Sequence, residues 1–269
     1  MRPYAAMYNK IISPLNSIFR HGLSESSKRQ MTKPHPVFPD DTFFVSYPRS
    51  GSAWLRRLVG IALHPESPEK IRRNINEVIP DMYAVGEQLA QYARPRMIKS
   101  HESYQPLYPK VVYLYRDARD VALSYYNFYQ TIKGYEGTLD DFLGLFLNGN
   151  VDFGRWDHHI RSWLFRGPSE SLFAVSYEEL SRDTRATLAS VLAFLGHSVS
   201  GKAIEKAVEE CTFGRHQVLV KDLSPHYSGG YRGGVAGRPG RGRETLSERQ
   251  LAVLWDAVGA TLESLAYRH

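Results

Sequence analysis

Three short stretches of the sequence carry side chains whose types and spacing suit the handling of an anionic ligand. The first reads SYPRSGSAW over residues 46–54. Arg49, Ser50 and Ser52 supply donors there, and Gly51 allows close backbone approach. Small residues opening a helix leave backbone N–H groups facing an anion at the positive end of the helix dipole. The chemistry is that of a phosphate or sulfate cradle, although an ordinary strand-to-helix turn uses similar residues. The GxxxxGK[ST] spacing of a nucleoside-triphosphate loop is missing, and with it the lysine and hydroxyl that serve phosphates and magnesium.

The second stretch, YLYRDARDVALSYYNFY over 113–129, puts Arg116 just past an apolar run and Ser124 eight residues later in a helical pattern. An arginine there suits a second anionic group. A surface pair with Asp117 or Asp120 is the plainer alternative. The third, MIKSHESY over 97–104, ends a short apolar run in Lys99-Ser100-His101. Histidine titrates near neutrality and is the usual general base. One histidine alone is more often structural, so the weight comes from the three stretches converging.

The elements that must bring them together are readable from periodicity. TFFVS at 42–46 reads as a strand, followed by Leu55, Leu58, Val59 and Ala62 at helical spacing. VVYLY at 111–115 is followed by Val121, Tyr125 and Phe128, and LFAVSY at 172–177 by Leu188, Val191, Leu192 and Leu195. Strands alternating with helices predict an α/β protein with a central parallel sheet flanked by helices. Such sheets bind ligands at the carboxyl ends of their strands, which is where all three stretches fall. Residues 224–243 hold seven glycines and two prolines among arginines and read as a basic, flexible loop. A final helix carries Leu251, Leu254, Val258, Leu262 and Leu265.

Composition narrows the classes. The chain has 269 residues, 42% hydrophobic and 12% aromatic, enough for a substantial core. Its formal net charge of +6 favours anionic partners without naming one. The single cysteine, Cys211, excludes an intramolecular disulfide framework and suits a reducing, cytoplasmic setting. No run approaches the length of a membrane-spanning helix, and the first residues show no secretory signal pattern. Residues 1–41 read as an arm and linker before a single domain over 42–269. Ile11, Ile12, Leu15, Ile18 and Phe19 leave a weak peripheral membrane contact open, but Pro14 interrupts the face and favours a docking arm.

Taken together, these motifs resemble the cytosolic-type sulfotransferase family over roughly residues 42–265. The likeness rests on YPRSGSAW against the family's YPKSGTTW, KSH against KTH, YRDARDVALSYYNFY, SYEEL with the later FLG, and a partial YRGGVAG. The resemblance implies a single-domain fold akin to P-loop kinases and transfer of a sulfuryl group from 3′-phosphoadenosine 5′-phosphosulfate, leaving 3′,5′-diphosphoadenosine. It implies that Arg49, Ser50, Gly51, Ser52, Ala53 and Trp54 hold the 5′-phosphosulfate, with Trp54 also against the adenine. Arg116, Ser124 and Arg232 would clamp the 3′-phosphate, with Gly233 and Gly234 alongside. Tyr177 and Phe213 would meet the adenine. His101 would take the acceptor proton, and Lys99 would stabilise the sulfuryl group in flight.

Some positions depart from the family pattern. Arg49 stands where lysine is usual; a guanidinium keeps its proton, so it acts as a fixed charge on the leaving phosphate. Gly233 replaces a lysine in the last loop, which also lacks the usual tryptophan. Arg241 to Gln250 echoes the family's dimer motif with altered end residues, leaving a homodimer open. The expected function is sulfation of a small-molecule, glycan or lipid hydroxyl or amine, with no metal and no nucleic-acid partner. A nucleoside or nucleotide kinase with an atypical loop, or a non-catalytic nucleotide-binding protein, is the alternative.

Overall fold

The two central strands, 42–46 and 111–115, are buried on both faces, so their alternate side chains must serve two different cores. The computed structural model describes residues 35–165, 170–212 and 238–268. In chain order these form β1 (Thr42–Ser46), α1 (Ser52–Leu63), α2 (Pro68–Arg73), α3 (Met82–Val85), β2 (Met97–Ser100), β3 (Val111–Tyr115), α4 (Ala118–Lys133), α5 (Leu139–Asn148) and α6 (Trp156–Leu164). There follow β4 (Leu172–Ser176), α7 (Tyr177–Arg182), α8 (Thr184–Leu195), α9 (Gly201–Glu210), α10 (Arg241–Thr245) and α11 (Glu248–Ser264).

The four strands make one parallel sheet in the order β2-β1-β3-β4. Phe43, Val45, Val111 and Tyr113 point into a core with α4, α5, α6 and α11. Phe44, Val112 and Leu114 point into a second core with α1, α8 and α9. Because β1 is flanked by β2 on one side and β3 on the other, the chain leaves it in one direction and returns on the opposite side. That reversal opens a crevice at the carboxyl ends of β1 and β3.

The strands and the three helices that follow them lie where periodicity put them. Two differences have local causes. Tyr177 begins α7 instead of ending β4, because Ser176 and Glu179 form a capping box that starts a helix at once. Arg241–Thr245 is helical although it lies in the glycine-rich stretch; Gly240 adopts the left-handed conformation that opens it. Residues 35–41 pack on the body. Asp41 and Arg96 form a fully buried pair, and Arg96 also donates to the Pro36 and Leu89 carbonyls. Among the described residues, no helix is long and apolar enough to cross a membrane. The apolar face read at Ile11 to Phe19 lies outside the described residues.

Candidate active site

The turn after β1 is shaped by backbone before any side chain. Arg49 and Gly51 both have positive φ, 70° and 101°. A Cβ on Gly51 would come within 2.5 Å of the Tyr177 ring, so this position is closed to other residues on two counts. Gly51 caps α1 without a side-chain hydrogen bond, and the first turn of α1 contains no acid. The helix therefore presents its N-terminal amides to the crevice.

Around that turn, the sheet brings together residues far apart in sequence. Arg49 donates through Nε to Ser124 Oγ at 3.2 Å, and its guanidinium lies 5.2 Å from the Phe128 ring centroid. Ser124 and Phe128 are one helical turn apart, so a single face of α4 receives Arg49. Arg116 is buried at the end of β3, 4.2 Å above the Tyr177 ring. Tyr177 in turn meets Trp54 with centroids 5.5 Å apart. One aromatic ring thus touches the β1 turn, α1 and the β3 end. Ser50 Oγ and Arg116 Nε are both buried without a hydrogen-bond partner. Orphaned polar atoms are costly unless a ligand completes them. Both belong to residues assigned to an anionic cofactor, so the cradle fits such a group.

A second cluster surrounds His101. Its Nδ1 donates to the Ser46 carbonyl at 2.6 Å, which leaves Nε2 as the unprotonated nitrogen. The His101 backbone N–H donates to Tyr83 Oη at 2.9 Å, and its carbonyl accepts from His159 Nε2 at 3.1 Å. The imidazole has little freedom left. Tyr83 stacks on it at 5.9 Å, and Phe153 meets both rings edge-on at 5.2 and 5.3 Å. Burial, then the charge of Lys99, holds His101 well below the usual histidine range, so its neutral form is the resting form.

Lys99 is buried and pairs with Asp81 at 2.9 Å, with its Nζ 4.9 Å from the Tyr83 ring. The pairing follows from register: Lys99 N–H donates to the Pro80 carbonyl, and Asp81 lies opposite Lys99 across a parallel bridge. Burial pushes the ammonium pKa down, while Asp81 pushes it back up. Burial also disfavours ionised Asp81, but Lys99 and then Arg56 bring its pKa down to about 2.

Of the residues named from sequence, Arg49, Ser50, Gly51, Ser52, Trp54, Arg116, Ser124 and Tyr177 meet at the crevice, and Ala53 sits in the first turn of α1. His101 and Lys99 stand at the neighbouring end of β2. Phe213, Arg232, Gly233 and Gly234 lie outside the described residues. Asp81, Tyr83 and Phe153 lie outside the sequence motifs, and the fold brings them to this corner. Phe153, at φ 69°, is fixed over His101 by three tyrosines. Tyr47 donates to the Gly154 carbonyl, Tyr125 donates to the Asp152 carbonyl, and Tyr129 accepts from Asp152 N–H. Its non-glycine positive φ has no signature in sequence.

Comparison with known proteins gives a consistent placement. The family model described as the sulfotransferase domain matches residues 39–222. The mouse protein sulfotransferase 1B1 is 31% identical over 193 residues, covering 65% of this chain and 64% of the relative. The chain thus matches just under two thirds of that relative's length. The mouse sulfotransferase SULT7A1, solved in complex with PAP, superposes with a TM-score of 0.65 at 23% identity, covering 84% of each chain. Retinol dehydratase, solved with androsterone and the inactive cofactor PAP, gives 0.69 at 18% identity, covering 87% of this chain and 84% of that one. These superpositions show a shared fold. With a family model spanning well over half of its length, and with the parallel sheet and carboxyl-edge cradle that the fold requires, the chain belongs to the sulfotransferase-domain family.

Proposed function

We propose that the protein transfers a sulfuryl group from 3′-phosphoadenosine 5′-phosphosulfate to a hydroxyl or amine of a small-molecule acceptor. The observation that supports this reading is the pair of buried, unpartnered donors, Ser50 Oγ in the turn after β1 and Arg116 Nε at the end of β3. When bound, the nucleotide would supply a sulfuryl group activated as a phosphosulfate anhydride, whose bridging S–O bond breaks to leave the 5′-phosphate.

The chain's own residues provide the rest. Ser50, Gly51, Ser52 and the α1 amides bind the 5′ end, and Arg116 with Ser124 binds the 3′ end. Arg49 places a permanent positive charge at the turn, where it balances negative charge without donating a proton. His101 Nε2 takes the acceptor proton, because Nδ1 is committed to Ser46 and neutrality is enforced by burial. Lys99 adds positive charge beside it. Tyr83 and Phe153 form an aromatic slot for the acceptor; glycan and lipid acceptors are further candidates. This assignment uses no metal, so EDTA should leave transfer unchanged. Adenosine 3′,5′-bisphosphate should bind far more tightly than AMP by calorimetry, and Arg116→Ala should shrink the difference. Equal affinity of the wild-type protein for both would sink the assignment.

A further inference from the structure

Asp120 is an acid in the middle of a site built for anions. It lies in the first turn of α4, and its side chain is 1% exposed. Its Oδ2 accepts from the Arg116 Nη2 group at 2.9 Å and from Gly240 N–H at 3.0 Å, and its Oδ1 accepts from Gly242 N–H at 2.6 Å. All three partners are donors. The same Arg116 nitrogen donates to the Arg238 carbonyl at 3.3 Å. Arg116 is therefore gripped by α4 on one side and by the segment 238–242 on the other, while its buried Nε keeps no partner.

Gly242 makes this contact sterically possible. A Cβ there would lie 2.4 Å from the Arg119 carbonyl carbon, 2.5 Å from its oxygen and 2.6 Å from Asp120 N. These are backbone atoms of a helix and cannot swing aside. The segment is thus seated directly on the first turn of α4, at Arg119 and Asp120, three and four residues after Arg116.

We propose that Asp120 and Gly242 are positioning residues for the 3′-phosphate half-site: the buried carboxylate and the seated 238–242 segment aim Arg116 at that phosphate and so set a preference for 3′-phosphorylated adenine nucleotides. The inference rests on the functional reading given above. A simpler view treats Asp120 as a negative charge that repels the nucleotide, so that its removal tightens binding. The geometry argues for the opposite sign. The charge is already met by a guanidinium and two N–H groups, and an asparagine would turn an NH2 group toward donors and release Arg116.

The test is calorimetric titration of adenosine 3′,5′-bisphosphate and AMP into the full chain and its Asp120→Asn, Gly242→Ala and Asp120→Glu variants. Far-UV circular dichroism and melting establish which variants are folded. Asp120→Asn should weaken bisphosphate binding about tenfold, the worth of one charge-assisted hydrogen bond, with AMP changed by no more than about twofold. Gly242→Ala, which alters no charge, should give the same pattern, and Asp120→Glu should retain part of the preference. If the first two variants do not fold, Asp120→Glu decides: a lowered ratio supports the role, and an unchanged ratio overturns it. Bisphosphate binding to Asp120→Asn that is unchanged or tighter, or equal loss of both nucleotides, overturns the role alone. Absence of a preference in the wild-type protein overturns the functional reading, and this role with it.

Discussion

At the scale of single residues, the chemistry turns on how His101 and Lys99 are held. In the proposed mechanism the neutral imidazole is the active form, and its folded-state pKa is depressed by burial and by Lys99. Activity that depends on it is therefore present above that depressed value and lost only as pH falls through it. The acid limb of kcat/KM should lie well below the ordinary histidine value of 6.5. Replacing His101 with alanine should remove roughly 10²–10⁴-fold of the rate while bisphosphate affinity stays within a few-fold. Retention of more than about a tenth of wild-type activity would take His101 out of the mechanism. Asp81 acts through Lys99. In Asp81→Asn the buried ammonium loses its counter-ion and gives up its proton at lower pH, so the alkaline limb of kcat/KM should move down. A uniform loss at every pH would make the pair purely structural.

At the scale of elements, Gly51 is the position on which the β1 turn depends. Gly51→Ala would place a methyl group against Tyr177 in a backbone region that penalises L-residues, by about 1–2 kcal/mol from conformation alone. Bisphosphate affinity should fall at least tenfold, because Tyr177 also underlies Arg116 and faces Trp54. Unchanged affinity in titration would show that the ring is not part of the site. This turn was legible in the sequence because strand, glycine and helix periodicity are all local. So were Arg116 and His101, each directly after a readable strand, and Ser124, on the helix that follows β3. Asp120 was legible as a partner of Arg116, although as a surface pair where the structure buries it, whereas its contact with Gly242 and the Asp81–Lys99 pair were not. The Asp81–Lys99 contact depends on cross-strand register, and Asp120 meets Gly242 across 122 positions of chain. Short α2 and α3 carry too few residues to show periodicity. Trp54 and Tyr177 could be assigned to adenine only through family resemblance; their contact with each other needs the folded sheet.

For the whole molecule, the same histidine-rich corner couples function to stability. His159 is fully buried; its Nε2 donates to the His101 carbonyl, and its Nδ1 accepts from Tyr113. Burial lowers its pKa from 6.5 to about 4. The folded state resists a proton that the unfolded chain accepts, so stability is full above about pH 6.5 and falls as pH drops toward 4. The loss is about 3 kcal/mol over that window. His159→Gln should flatten this dependence in denaturant titrations at several pH values; an equal slope in both proteins would assign the acid sensitivity elsewhere. The buried Arg96–Asp41 pair gives a complementary expectation at the other end of the strands. Arg96→Ala leaves Asp41 buried and unpaired and should cost about 3–5 kcal/mol of stability. Nucleotide affinity of the folded fraction should stay unchanged, since this pair sits at the amino edge of the sheet.

The strand order has a kinetic consequence. The cradle draws on the turn after β1, the start of α4, the start of α7 and the segment at 238–242, which no local stretch of chain contains. Parallel neighbours are joined only by long crossovers, and closing such separations is slow compared with forming helices. Binding competence should therefore be the last property a refolding chain regains. After dilution from denaturant, helical circular dichroism should recover first, and capacity for adenosine 3′,5′-bisphosphate should return only with the slowest phase. A newly made chain would accordingly stay blind to its nucleotide until the residues near 242 have been made and have reached α4.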